Sequence, residues 1–200
     1  MEGFARGFYS ISEWVMRFMY VNILWILFTF LGLVVFGFFP ATTAMFAVVR
    51  KWIVKEYDIP VFNTFWQTYK SEFFRSSIIG LVISAFGLLL YSNIHIIQAI
   101  TVPLLKLLYI PNVILILIFV LTLLYIFPVL VHFDIGVIGV VKNALIIMTI
   151  NPIHTFCMGT LTGFLFFIYR SFPGLIPFFS GSLIAFLLMW FSNNVFRKIR

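Results

Sequence analysis

The chain has 200 residues, 63% hydrophobic and only 10% charged, and its 13 Lys and Arg outnumber 6 Asp and Glu for a formal net charge of +7. A chain this short cannot wrap several long apolar helices in a polar shell, which excludes a water-soluble globule and indicates a bilayer protein. The basic residues stand at the ends of apolar segments, a mark of membrane topology and not of nucleic-acid binding; the single cysteine, Cys157, excludes an intramolecular disulfide and any zinc-ribbon or iron–sulfur spacing.

The first apolar run, 18–39, is longer than a signal-peptide core, and Glu2 and Glu13 beside Arg6 and Arg17 keep its flank from being clearly cationic. It is read as a retained membrane helix over about 18–36. The chain is then expected to turn at Gly37-Phe38-Phe39-Pro40, with Pro40, Ala41, Thr42 and Thr43 as the turn motif and Pro40 near the first position of a returning helix that ends about Val54. Roughly 14 residues span only about 21 Å, short of the hydrocarbon thickness. Either the basic end at Arg50 and Lys51 snorkels, or the turn lies below the outer surface and the Thr42 and Thr43 hydroxyls satisfy its backbone.

Next comes the most polar stretch, 55–60, closed by Pro60. Phe62, Phe65, Trp66, Tyr69, Phe73 and Phe74 follow at three- and four-residue spacings, interrupted by Gln67, Lys70, Glu72 and Arg75. That pattern predicts an amphipathic helix on the cytoplasmic surface, either an interfacial anchor or a docking surface for a partner.

Four further spans are drawn at about 76–100, 112–131, 154–169 and 174–191. Asn22, Ser84 and Thr122 within the spans are read as interhelical hydrogen-bonding residues. Gly80-x-x-x-Ser84, Gly159-x-x-x-Gly163 and Gly181-x-x-x-Ala185 are read as close-packing faces, most simply within the chain. Pro128 should bend its helix, with Thr122 or a neighbour bonding the released carbonyl. The stretch from Asp134 to Asn151 is apolar but holds Lys142 midway. It is read as a cytoplasmic-side helix with Asp134 as N-cap and Asn151-Pro152 as its stop; crossing the membrane is the alternative.

Charge decides between topologies. A hairpin with its turn outside puts Arg6, Arg17, Arg50, Lys51, Lys55, Lys70, Arg75, Lys142, Arg197, Lys198 and Arg200 inside and only Lys106 and Arg170 outside, a better positive-inside split than five crossings give. The expected fold is therefore all-α: a polytopic bundle of five full transmembrane helices plus the short returning helix after Pro40, in one domain over 1–200, with both termini cytoplasmic. The spans are nearly bare of ionisable residues. No metal-ligand spacing, no G-x-S-x-G and no P-loop motif occurs, so neither catalysis nor a cofactor is expected.

Phe39-Pro40-Ala41-Thr42-Thr43-Ala44-Met45, then Arg50-Lys51, the Thr64-Phe65-Trp66 to Phe73 segment, Phe133-Asp134 and Lys142-Asn143-Ala144 together resemble the YesL-like family of small bacterial integral membrane proteins. One departure is Phe39, where the family usually has Gly before the proline. The resemblance implies a bacterial cell-membrane protein without established biochemical activity. Members are often encoded beside carbohydrate ABC importers of Gram-positive bacteria, which implies an accessory role with importer permease subunits as partners. On that reading the contact residues are Arg50, Lys51, Trp66, Lys70, Arg75, Asp134, Lys142 and Asn143. An autonomous small-solute transporter or channel, working through the broken hairpin at Pro40, is the alternative.

Overall fold

The computed structural model describes residues 2–99 and 106–199, with side chains for 9, 11–98 and 106–198. The Arg6 side chain, Ile100 at the end of one predicted span and Arg200 lie outside the described residues. The regular elements described are all helical: α1 (Glu2–Leu31), α2 (Val35–Ile53), α3 (Val61–Ser71), α4 (Phe73–Ala99), α5 (Tyr109–His132), α6 (Val137–Ile150), α7 (Pro152–Ser171), a 3-10 turn (Pro173–Leu175) and α8 (Ile176–Ile199). Five segments are long and apolar enough to cross a membrane: Ile11–Leu31, Phe73–Gln98, Tyr109–His132, Pro152–Ser171 and Pro173–Lys198. At 1.5 Å per residue α4 and α5 reach about 36 to 40 Å, more than the roughly 30 Å hydrocarbon core. The outward faces of the spans, such as Leu117 of α5 and Phe166 and Phe167 of α7 at 58%, 62% and 67% exposure, form the apolar outer surface suited to lipid.

The hairpin turns earlier than the proline suggests. The chain reverses at 32–34, and Pro40 lies inside α2, five residues after its start. Glycine explains the shift. A Cβ on Gly32 would stand 2.3 Å from the Gly37 Cα, and one on Gly37 would stand 2.4 Å from the Thr29 carbonyl oxygen. Both glycines are thus committed to close approach of α1 and α2. The left-handed backbone instead falls on Leu33 (φ 58°) and Val34 (φ 62°, ψ −64°), and the Val35 N–H donates to the Leu33 carbonyl at 2.7 Å. That is a γ-turn of the strained hand centred on a β-branched residue. Val34→Gly should therefore raise stability by about 1 kcal/mol, read as a higher midpoint in a detergent-titration unfolding curve; a lower midpoint would show that the valine side chain outweighs the strain.

Inside α2, Pro40 lacks an N–H and releases the Phe36 carbonyl, to which the Ser77 hydroxyl donates at 3.5 Å. The Thr42 and Thr43 hydroxyls donate to the carbonyls of Phe38 (2.7 Å) and Phe39 (3.0 Å), and the Trp25 indole N–H donates to Thr42 Oγ1 at 3.0 Å. The threonines do satisfy backbone, but within a helix and not at a turn. Phe39 finds room because Gly80 has no side chain: a Cβ there would lie 2.1 Å from the Phe39 ring. With 19 residues, about 28 Å, α2 is longer than expected and is the axis of the core. It packs against α1, α3, α4, α5 and α8, burying Ala41, Ala44, Val48, Val49 and Trp52. Small residues suit it to this place, since lipid provides no hydrophobic drive and close backbone approach must supply the contact.

The position of α3 also corrects the expectation. A turn on the outer surface and α3 on the inner one would be separated by about the hydrocarbon thickness. Instead the Tyr69 hydroxyl donates to the Phe28 carbonyl at 3.3 Å and sits against Gly32. The Phe28 ring lies within 5.0 to 6.4 Å of the rings of Phe62, Phe65, Trp66 and Tyr69. The aromatic face of α3 is spent on the hairpin, with Phe65 fully buried.

Asn22 and α8 form the tightest polar junction. In α8 the ladder bond from the Gly181 N–H would fall on the Pro177 carbonyl. Asn22 occupies both atoms: its Oδ1 accepts from the N–H groups of Gly181 (2.9 Å) and Ser182 (3.1 Å), and its Nδ2 donates to the carbonyls of Pro177 (2.8 Å) and Ile176 (3.4 Å). The Gly181 face of the predicted small pair is thereby used, its Cα position lying against Met45 and Asn22, with Ala185 buried. Gly163 is different: nothing stands within 4 Å of a Cβ there.

Asp134 does not cap α6, which has Gly136 at its N-cap and no side-chain cap bond; the extended residues 133–136 carry the Asp134 carboxylate toward Arg75 instead. At 14 residues, about 21 Å, α6 falls short of a crossing, and Pro152 opens α7 as the first helical residue. Thr155 knots this region, its hydroxyl meeting the Tyr125 hydroxyl at 3.0 Å and the carbonyls of Met148 (3.2 Å) and Asn151 (2.9 Å). Thr122 bonds the Ile118 carbonyl, so it does not serve the carbonyl released by Pro128.

Candidate functional site

Polar side chains concentrate at one end of the bundle, where α2 and α5 finish and α4 begins. A cleft of about 510 Å³ opens there, bounded by Thr43, Ala47, Arg50 and Lys51 of α2, Thr64, Gln67, Thr68 and Ser71 of α3, Glu72 and Arg75 at the α3–α4 junction, and 130–134 at the end of α5. The sequence supplies its polar wall directly. Thr64, Gln67, Thr68, Ser71 and Arg75 fall at i, i+3, i+4, i+7 and i+11, one helical stripe opposite the aromatic face that grips the hairpin.

Arg75 organises the groove. Its guanidinium bonds both Glu72 carboxylate oxygens at 3.2 Å, lies 3.6 Å from Asp134, and donates to the carbonyls of Phe133 (3.4 Å) and Ile135. Asp134 is fully exposed, so that ion pair contributes little. The carbonyl bonds are the stronger tie, fixing the α5–α6 segment to the start of α4. Nearby, Arg17 anchors the 54–60 loop by donating to the Tyr57 carbonyl at 3.0 Å while pairing with Glu13 at 2.6 Å. The Tyr69 phenol, outside the membrane-spanning segments, is pushed above its ordinary range by burial and stays a neutral donor.

Of the predicted contact residues, Arg50, Lys51, Arg75 and Asp134 meet in this groove. Trp66 and Lys70 do not. They lie on another face of α3, with the Lys70 ammonium 4.8 Å from the Trp66 ring centroid. Lys142 borders a separate apolar hollow with Val82, Val137 and Ile146, and Asn143 donates to the Gly139 carbonyl of its own helix at 2.9 Å. Of the predicted turn motif only Thr43 reaches the groove; Pro40, Ala41 and Thr42 are buried in the bundle. Thr64, Gln67 and Glu72, which are not among the predicted contact residues, also line the groove. Among the described residues no group of three or more His, Cys, Asp or Glu gathers as a metal site would require.

Five apolar spans packed about a buried central helix, α2, with polar chemistry gathered at one end, define a polytopic α-helical membrane protein. Residues 18–94 match the model of a family described as a protein of unknown function, DUF624. Three curated relatives are all from Bacillus subtilis (strain 168). The chain is 44% identical to the uncharacterized protein YteU (94% of this chain, 84% of the relative) and 37% identical to YesV (95% and 91%). It is 38% identical to YesL (98% and 92%). The chain belongs to this YesL-like, DUF624 family. No solved structure matches it significantly.

Proposed function

We propose that the chain is a non-enzymatic accessory subunit of a carbohydrate ABC importer, set in the bacterial cell membrane with both termini cytoplasmic and docking a permease subunit through the groove at its basic end. The observation that carries the reading is the groove itself: a polar, two-signed surface on a bundle whose spans are almost devoid of charge. Work on a solute inside the bilayer calls for polar or ionisable groups there, whereas a groove at the end of the bundle suits recognition of another protein's polar segment. The gathering of Arg50, Lys51, Lys55, Arg75 and Arg197 around the two clefts at this end supports that orientation through the positive-inside rule. The importer as partner comes from the family resemblance.

Affinity purification of the tagged protein from its native membrane in a gentle detergent is expected to bring down permease subunits near one-to-one. Lys51→Glu with Gln67→Glu, both on the groove wall and neither in the core, should cut that recovery at least about fivefold, the effect of one or two rim charges, with the melting midpoint unchanged. Arg75 is unsuited to such a test because its loss would release the α5–α6 segment. A partner-free particle whose liposomes pass solute would overturn the accessory reading in favour of autonomous transport.

A further inference from the structure

A second cleft lies beside the groove, with Arg50 and His132 common to the walls of both. We infer that it binds a phosphate group. Its volume is about 480 Å³, and Arg50, Lys55 and Arg197 border it together with Asn193, while Ile53 and Phe196 supply an apolar side. Among the described residues no carboxylate borders it. Three acids of the same end are paired elsewhere, Glu72 and Asp134 with Arg75 and Glu13 with Arg17, and Glu56 and Asp58, in the loop that follows Lys55, are exposed and do not line the cleft. The Arg50 guanidinium is partly buried, makes no ion pair among the described residues, and its Nε is buried without a hydrogen-bond partner. A cation so placed is costly unless an anion joins it.

The ends of α2, α5 and α8 meet here and offset part of this charge, since each helix C-terminus carries about half a negative charge. Three full cations exceed that offset about twofold. Lys55 is also held in place: it follows α2 with φ 70°, its N–H bonded to the Trp52 carbonyl at 3.0 Å, a backbone conformation usually left to glycine. Guanidinium forks and an ammonium around one cavity, with an amide as a further donor, suit the tetrahedral oxygens of a phosphate monoester or diester. The apolar side and the position at the end of the spans admit a lipid headgroup as well as a soluble phosphate.

The test is the thermal midpoint of the purified full-length protein in a zwitterionic detergent. It is measured with phosphatidylglycerol, with diacylglycerol as a phosphate-free lipid, with inorganic phosphate, and with chloride at matched ionic strength. Phosphatidylglycerol or inorganic phosphate is expected to raise the midpoint by about 3 °C or more near saturation. Lys55→Gln, at an exposed residue outside the helices, should weaken the apparent affinity about fivefold, and Arg50→Gln with Arg197→Gln should abolish the rise. Inorganic phosphate acting alone identifies a soluble phosphorylated ligand; phosphatidylglycerol acting where inorganic phosphate does not identifies a lipid headgroup. The inference is overturned if neither raises the midpoint, if chloride or the phosphate-free diacylglycerol does as much, or if Lys55→Gln and the double variant respond like the native chain. None of these outcomes depends on an importer partner.

Discussion

Asn22→Leu is expected to lower the unfolding free energy of the bundle by about 3 kcal/mol. An ordinary interhelical hydrogen bond in a membrane protein contributes only about 0.6 kcal/mol on average, because the separated helices find other partners. Asn22 is a different case. It is fully buried, and its amide stands in for a peptide group of α8, joined to two N–H groups and two carbonyls there. Leucine would remove all four bonds, and each of those groups that the ladder of α8 does not also serve would stand unpaired in an apolar interior, at about 1 to 3 kcal/mol for each orphan. Ladder closure in α8 can recover one bond, between the Gly181 N–H and the Pro177 carbonyl, which keeps the net loss near the middle of the range. Asn22→Asp separates the two halves of the clamp: its carboxylate keeps the acceptors for Gly181 and Ser182 but faces two carbonyl oxygens with no donor. SDS titration in mixed micelles, followed by tryptophan fluorescence, reads the difference. A loss below about 0.5 kcal/mol for Asn22→Leu would mean that α8 heals its own ladder and that Asn22 only fills space.

Asn22 is legible in the sequence because a lone amide in an apolar run needs a partner, and the helical spans are legible because length and hydropathy are local properties. The hairpin turn is not. Pro40 reads equally well as a helix start and as an interior residue whose released carbonyl is bonded by another helix, and Ser77, which bonds it, is 41 residues away from Phe36. Gly37 reads as a turn former, yet the fold spends it, with Gly32, on contact and lets Leu33 and Val34 bear the left-handed backbone. For α3, Phe62, Phe65, Trp66 and Tyr69 form a stripe that would serve a lipid interface or a protein neighbour alike. Only the fold chooses Phe28 over the headgroups. Half of the candidate contact residues meet in the groove for a related reason: charge marks the polar end of a bundle, but the helical phase of Lys70 and the separate element holding Lys142 turn those residues elsewhere.

Gly37→Ala is expected to cost about 3 kcal/mol or more, and no side-chain truncation elsewhere should restore it. The added methyl would meet the Thr29 carbonyl oxygen at 2.4 Å, with the Phe28 carbonyl oxygen and the Gly32 Cα each at 2.8 Å. These are backbone atoms of the partner helix and cannot rotate aside, so α1 and α2 must separate along the axis of the core, beyond the usual 1 to 3 kcal/mol of overpacking. Gly80→Ala provides the contrast. Its methyl would strike the Phe39 ring at 2.1 Å, a severe clash with a side chain that truncation removes. Alone it should cost about 2 kcal/mol; with Phe39→Ala most of that penalty should vanish, leaving a coupling of at least about 1 kcal/mol in a double-mutant cycle. Gly163→Ala, with open space around it, should be neutral or stabilising by up to about 1 kcal/mol through helix propensity. Unfolding midpoints for the three variants therefore rank the glycines by what surrounds them. If Gly37→Ala proved as mild as Gly163→Ala, the close α1–α2 contact would be wrong, and with it the early turn at 32–34.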